Sequence, residues 1–310
     1  MPAYHEPKRT QRETVKKMDA VDKAKSESDL VETLFGPMPD SAANGSDAEP
    51  TEEEADHYLY NAGNDGEQKR LPLINVPLGR PKTVEVGRVA DLVPYLDELA
   101  LFEKRWGFEK EVAESRENWC FRMRGQAVPV LNRLVELCDG YDVLRPRAVY
   151  AYFHAASRDG ALLLYGRDKT EPFLSVNFKR GANGVCAADK IARADSGEFD
   201  TVAAVGVNMG RNAAELAKSW LEAGKETDFR YLHGFALEML NAMTDYAAAR
   251  IGTEECCLGD VFGLGTAKQG DPRVQSPLIK ALDASSIDIA FSRNYLMMPE
   301  YSSLALVFPR

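Results

Sequence analysis

The sequence predicts an α+β domain at residues 81–310, a twisted antiparallel sheet flanked by helices, behind a charged and disordered tail at residues 1–80. Three observations predict it. Stretches of helical period stand before and after a group of short β-branched or aromatic runs. Those runs are separated by tight turns and show no strand–helix–strand rhythm, which favours an antiparallel sheet. The first 80 residues carry almost no periodic apolar face.

The tail holds 10 Lys+Arg against 16 Asp+Glu, so it supplies −6 of the net charge of −10. Runs such as Glu52–Asp56 and the turn-rich patch Ala42–Asp47 bury too little apolar surface to offset the entropy of ordering. Within it, Thr14–Lys25 reads as a transient charged helix, and Asp29–Phe35 as either a partner-docking segment or plain linker. No apolar core follows the basic residues at the start, so no targeting signal is expected. No run of eighteen apolar residues occurs, so no membrane span is expected. Five scattered cysteines without a secretory signal point to the reducing cytoplasm. Cys256 and Cys257 lack the C-x-x-C spacing of a metal site and read as unpaired thiols.

In order along the chain, Ala90–Arg105 reads as a helix with Pro94 in its first turn, where a missing N–H is tolerated. Glu109–Arg124 and Val128–Cys138 read as two further helices, the second with Pro129 early and Gly140 after its end. Then the rhythm changes. Ala148–Ala156, Ala161–Tyr165, Leu174–Phe178 and Val202–Val207 are predicted strands, and Arg158-Asp-Gly160 a hairpin turn. Asn212 and Glu215 stand at capping-box spacing before a helix Ala213–Ala223, which Gly224 stops. Thr227–Gly252 carries an apolar stripe at Phe229, Leu232, Ala236, Met239, Met243 and Tyr246, with Asp228 as its cap. Ile287–Phe291 and Leu304–Phe308 are the last predicted strands.

The residues alone show no catalytic constellation. Of four histidines, His5 and His57 lie in the tail, while His154 on a strand and His233 on the long helix read as structural. No G-x-S-x-G or H-E-x-x-H motif occurs. Gly259-Asp-Val-Phe-Gly263-Leu-Gly265 is glycine-rich but follows no strand of a βαβ unit, so it reads as a flexible or ligand-contacting loop. The acidic balance, with no basic stripe, argues against nucleic acid.

Six segments in order carry a resemblance. Val93-Pro-Tyr-Leu-Asp97-Glu-Leu-Ala-Leu-Phe102 resembles YIDWTPFF, and Leu144–Ala156 resembles RGVxGxFPAN. Cys186-Ala-Ala-Asp189 is similar to CLAD, and Phe199–Val207 to DYIGAFAV. Asn208-Met-Gly-Arg with the two helices after it resembles the close of the same domain, and Tyr295–Pro299 stands where that family has FAMWP. The family is the activation domain of cobalamin-dependent methionine synthase, and the resemblance covers about residues 84–308.

The resemblance implies a module that binds S-adenosylmethionine and covers the cobalamin of a methionine synthase, while flavodoxin or another donor supplies an electron. The cofactors hold the reactivity and the protein supplies placement and water exclusion. Neither His154 nor His233 stands in a D-x-H-x-x-G frame, so cobalamin is expected only on a partner protein. The expected role is that of a separate reactivation subunit of a split synthase. By the resemblance, Asp97 takes the methionine end of S-adenosylmethionine, its carboxylate suiting an ammonium. The family's pocket glutamate falls on Asn241, which keeps an acceptor and loses the charge. The arginine loop R-P-A-P-G-Y-P is replaced by Val261–Thr266, with Gly263 and Gly265 as the expected contacts, and the sequence ends at Arg310 ahead of the family's tyrosine pair. One retained contact leaves a second reading open, a corrinoid-protein capping or chaperone partner that does not bind S-adenosylmethionine.

Overall fold

A computed structural model describes residues 78–111, 113–178, 180, 184, 186–255, 260–264 and 275–308. The expected tail, but for residues 78–80, lies outside them, as do Cys256, Cys257 and Gly265.

The centre is a seven-stranded sheet in which every strand pair is antiparallel. Its strands are β1 (Lys82–Glu85), β2 (Arg147–Arg158), β3 (Ala161–Tyr165), β4 (Pro172–Asn177), β5 (Asp200–Asn208), β6 (Asp260–Gly263) and β9 (Ser302–Phe308). The order is β4-β3-β2-β5-β9-β6. β2 is long enough to serve two neighbours on one edge: Arg147–Tyr150 pair with β1 and His154–Arg158 with β3. Its other edge pairs with β5 from Arg147 to Ala155. Asp159 and Gly160, both at positive φ, make the β2–β3 turn that the Asp-Gly pair predicts.

Strand period two divides the buried residues between two faces. One face sets Val149, Ala151, Phe153, Val202, Ala204, Leu304 and Leu306 against Leu278 and Leu282 of α4 (Ser276–Ala281) and its flank, and against Ile287 and Ile289. Both faces of β2 are covered, which is why it reads as nearly continuous apolar sequence. The other face receives α3 (Glu226–Glu255), a 30-residue helix packed on β2, β5 and β9. Phe235, Ala236, Met239 and Met243 of α3 are fully buried there. The helices α1 (Arg116–Tyr141) and α2 (Asn212–Glu222) pack against α3 from outside.

Several elements differ from expectation. The two helices expected at Glu109–Arg124 and Val128–Cys138 form one, α1, running through Gly125 and Pro129. Pro129 withholds one N–H from the helix ladder, but Met123, Ala127, Val130, Leu131 and Leu134 bury a continuous stripe that outweighs the loss. The helix expected at Ala90–Arg105 is broken instead. A 3-10 turn at Val89–Tyr95 ends at extended Leu96, and helix resumes at Glu98. Asn212 does not cap α2; its Nδ2 donates to Asp142 O at 3.0 Å, and the capping position falls on Arg211 with no side-chain cap. α3 runs through Gly252 and ends at Glu255. Of the strand expected at Ile287–Phe291, Ile287 closes a 3-10 turn (Ala284–Ile287), and only β7 (Ala290–Phe291) is a strand, paired with β8 (Met297–Met298). The glycine-rich stretch expected as a loop supplies β6, an edge strand paired with β9, with Asp260 bound to Lys190.

Candidate functional site

The candidate site lies where the 97–106 segment crosses α3. Asp97 opens that segment. It follows extended Leu96, and its Oδ1 accepts the N–H of Ala100 at 2.9 Å, three residues on, which is N-cap geometry for a helix starting at Glu98. The helix continues as a π-turn over Ala100–Arg105. Widened turns of this kind place side chains off the regular helical period and recur at functional sites. Asp97 remains exposed.

A glycine sets how closely the segment approaches α3. A Cβ on Gly234 would stand 2.8 Å from Arg105 Cβ and 3.1 Å from Trp106 Cδ1. Trp106 is fully buried, donates Nε1–H to Tyr231 O at 3.0 Å, and packs edge-on against the Tyr231 ring at 5.1 Å. At the other end, Tyr95 meets Tyr246 edge-on at 5.4 Å. The segment is therefore fixed to α3 at both ends.

Between those ends α3 presents Glu238, Asn241 and Asp245, spaced to lie on one helical face. The Glu238 side chain is 1% exposed, and Arg105 Nε donates to its Oε1 at 2.8 Å. Asn241 Nδ2 donates to Glu238 Oε2 at 3.1 Å. Burial pushes the Asp245 carboxyl up to about 6, with Glu238 and Asp97 adding repulsion. Solvent still reaches Asp245, so it is a crowded side chain at a wet surface, and its repulsions are partly screened. Near Arg105, His233 Nδ1 is 2.8 Å from Tyr301 Oη, and the imidazole stacks on Phe229. Burial lowers the pKa of His233, Glu300 opposes this, and Arg105 reinforces it. Burial raises that of Tyr301, with Glu300 adding to it.

Of the residues expected at the site, Asp97 and Asn241 belong to this face. Asn241 serves as a hydrogen-bond partner of a carboxylate one turn earlier, so the charge that the sequence reading gave up at Asn241 is present at Glu238. Gly263 lies elsewhere, at the end of β6 opposite Ala305, and no hydrogen bond, ion pair or ring contact among the described residues ties it to Asp97 or Asn241. Gly265 is outside the described residues. Glu238, Arg105 and Asp245 were missed. A lone carboxylate inside the apolar run Phe235–Met239 was the available signal for Glu238. Arg105 had none, since its partner is 133 residues away.

His154 packs on Phe199 at 5.9 Å, and burial lowers its pKa, with Lys169 adding to it. Among the described residues no group of His, Cys, Asp and Glu could hold a metal ion, and no helix is long and apolar enough to cross a membrane.

No protein-family model matches the sequence. The methionine synthases of Mycobacterium leprae (strain TN) and Mycobacterium tuberculosis (strain ATCC 25618 / H37Rv) are each 24% identical over 252 residues, covering 71% of this chain. The chain spans 21% of the length of either. A crystal structure of the MetH reactivation domain bound to AdoHcy superposes with a TM-score of 0.61 at 17% identity, covering 84% of this chain and 86% of that one. The fold is that of the methionine synthase reactivation domain. The resemblance read from the six segments thus extends to the whole arrangement of sheet and helices.

Proposed function

We propose that this protein is a reactivation module for a cobalamin-dependent methionine synthase, working as a separate subunit. It binds S-adenosylmethionine on the face formed by Asp97, Glu238 and Asn241 and presents it to cobalamin carried by a partner. The observation that carries the reading is the match to 86% of the reactivation domain, crystallised with AdoHcy, an analogue of S-adenosylmethionine. Asp97, exposed and held by its own helix N-terminus, suits the ligand's ammonium. The ligand brings the reactive methyl on its sulfonium; the protein positions that end and excludes water from it. Flavodoxin or another reductant supplies the electron.

The test is a methionine synthase lacking its own reactivation domain, inactivated by oxidation of its cobalamin. With a reductant and S-adenosylmethionine, added protein should restore turnover, and omission of S-adenosylmethionine should abolish the rescue. Rescue independent of S-adenosylmethionine would favour the capping or chaperone reading. No rescue by any combination would contradict both.

A further inference from the structure

We infer that Arg105 receives the carboxylate at the amino-acid end of the ligand, while Asp97 takes the ammonium. The inference rests on the reading that this face binds S-adenosylmethionine or AdoHcy. An amino-acid end is a zwitterion, so a site for it needs both signs of charge. Asp97, Glu238 and Asp245 would repel the carboxylate. Arg105 closes the same short segment that Asp97 opens; Arg105 is bonded to Glu238 of α3, and Asp97 lies within electrostatic reach of Asp245 on the same helix.

Arg105 is also fixed in a suitable way. Its Nε is used by Glu238 at 2.8 Å, and that carboxylate is 1% exposed and held from its other oxygen by Asn241. A guanidinium has five N–H donors, and anchoring through Nε leaves the Nη edge, whose two parallel donors match a carboxylate. The Arg105 side chain is 33% exposed, and its Nη atoms have no acceptor among the described residues. The buried Glu238 thus orients a cation whose remaining donors meet solvent.

Calorimetry on the full chain separates this role from a structural one, using AdoHcy and decarboxylated AdoHcy, which keeps the ammonium and lacks the carboxylate. Arg105→Gln should weaken AdoHcy on the order of tenfold or more, the scale of a lost charged hydrogen bond. It should leave decarboxylated AdoHcy nearly unchanged. Arg105→Lys keeps the cation beside Glu238 and loses the fork, so it should show a smaller loss, again for AdoHcy alone; it decides the matter if the Gln variant fails to fold. Equal weakening of both ligands would overturn the inference and make Arg105 a purely structural partner of Glu238. Unchanged AdoHcy affinity in both variants would overturn it too. If unmutated protein binds decarboxylated AdoHcy as tightly as AdoHcy, the ligand reading survives and the Arg105 role fails. If it binds neither, the ligand reading itself fails and takes this inference with it.

Discussion

Gly234 on α3 and Arg105 on the crossing segment are packed so closely that a single methyl group would not fit between them: a Cβ at Gly234 would lie 2.8 Å from Arg105 Cβ. Alanine gains about 1 kcal/mol over glycine in helix propensity, while forcing an atom into a closed contact costs about 1–3 kcal/mol. Gly234→Ala should therefore be destabilising by up to about 2 kcal/mol, and should alter the fluorescence of Trp106, which lies against the same position. Gly125, mid-way along α1, has nothing within 4 Å of its Cβ position. Gly125→Ala should instead stabilise by about 0.5–1 kcal/mol. Urea melts of both variants check the pair, and a stabilised Gly234→Ala protein would show that the approach of the two elements is not set by this glycine.

Asp245 gives the stability a pH signature. Its folded-state pKa, pushed up to about 6 by burial and by Glu238 and Asp97, exceeds the unfolded value of about 3.9. The folded state therefore holds the proton more tightly. Its contribution is fully present below about pH 4 and is lost as pH rises through about 6. Asp245→Asn removes the ionisation, so the variant should be the more stable one at pH 8, with the advantage shrinking between pH 6 and 4. Solvent reaches this residue, so the difference should stay below about 1 kcal/mol. Melting curves across pH 4–8 measure it; a difference independent of pH would mean that packing, not charge, separates the two proteins.

Fold and site were legible to different depths. The strands around β2 and β5 and the helix α3 follow from period and turn residues, because their burial is continuous and their sequence obeys it. The 97–106 segment does not show in this way. Its helical period runs straight through Leu96, and only the Asp97 side chain bonding to Ala100 reveals a restart. Gly125 and Pro129 mark a break that the buried stripe of α1 overrides. At the site, Asp97 was visible through resemblance, whereas the Glu238–Arg105 pair depends on a contact across 133 residues that no local pattern encodes. β6 was read as a loop because its four residues are extended only through pairing with β9.

The sequence assigns residues 1–80 to a tail that adds little to the core. The structure fixes where a truncation must stop. Gly79 N–H donates to Tyr152 O at 2.8 Å, and Arg167 Nε donates to Leu78 O at 2.6 Å. A protein beginning at Pro77 should melt within a few degrees of the full chain. One beginning at Val86 also loses β1 and leaves the Arg147–Tyr150 edge of β2 unpaired, so it should melt well below. Equal melting of all three would show that β1 contributes nothing. A large drop on starting at Pro77 would show that the preceding residues pack on the core.

Binding of S-adenosylmethionine to the purified protein, followed by calorimetry with Asp97→Asn alongside, tests the central claim most directly. The unmutated protein should give a saturable heat, and the variant should bind more weakly by about 1.5–3 kcal/mol, the range for a hydrogen bond to a charged group, or roughly tenfold to a hundredfold in Kd. Equal affinity in the two proteins would remove Asp97 from the site. No detectable heat from the unmutated protein at millimolar ligand would contradict the account and leave the capping role in its place.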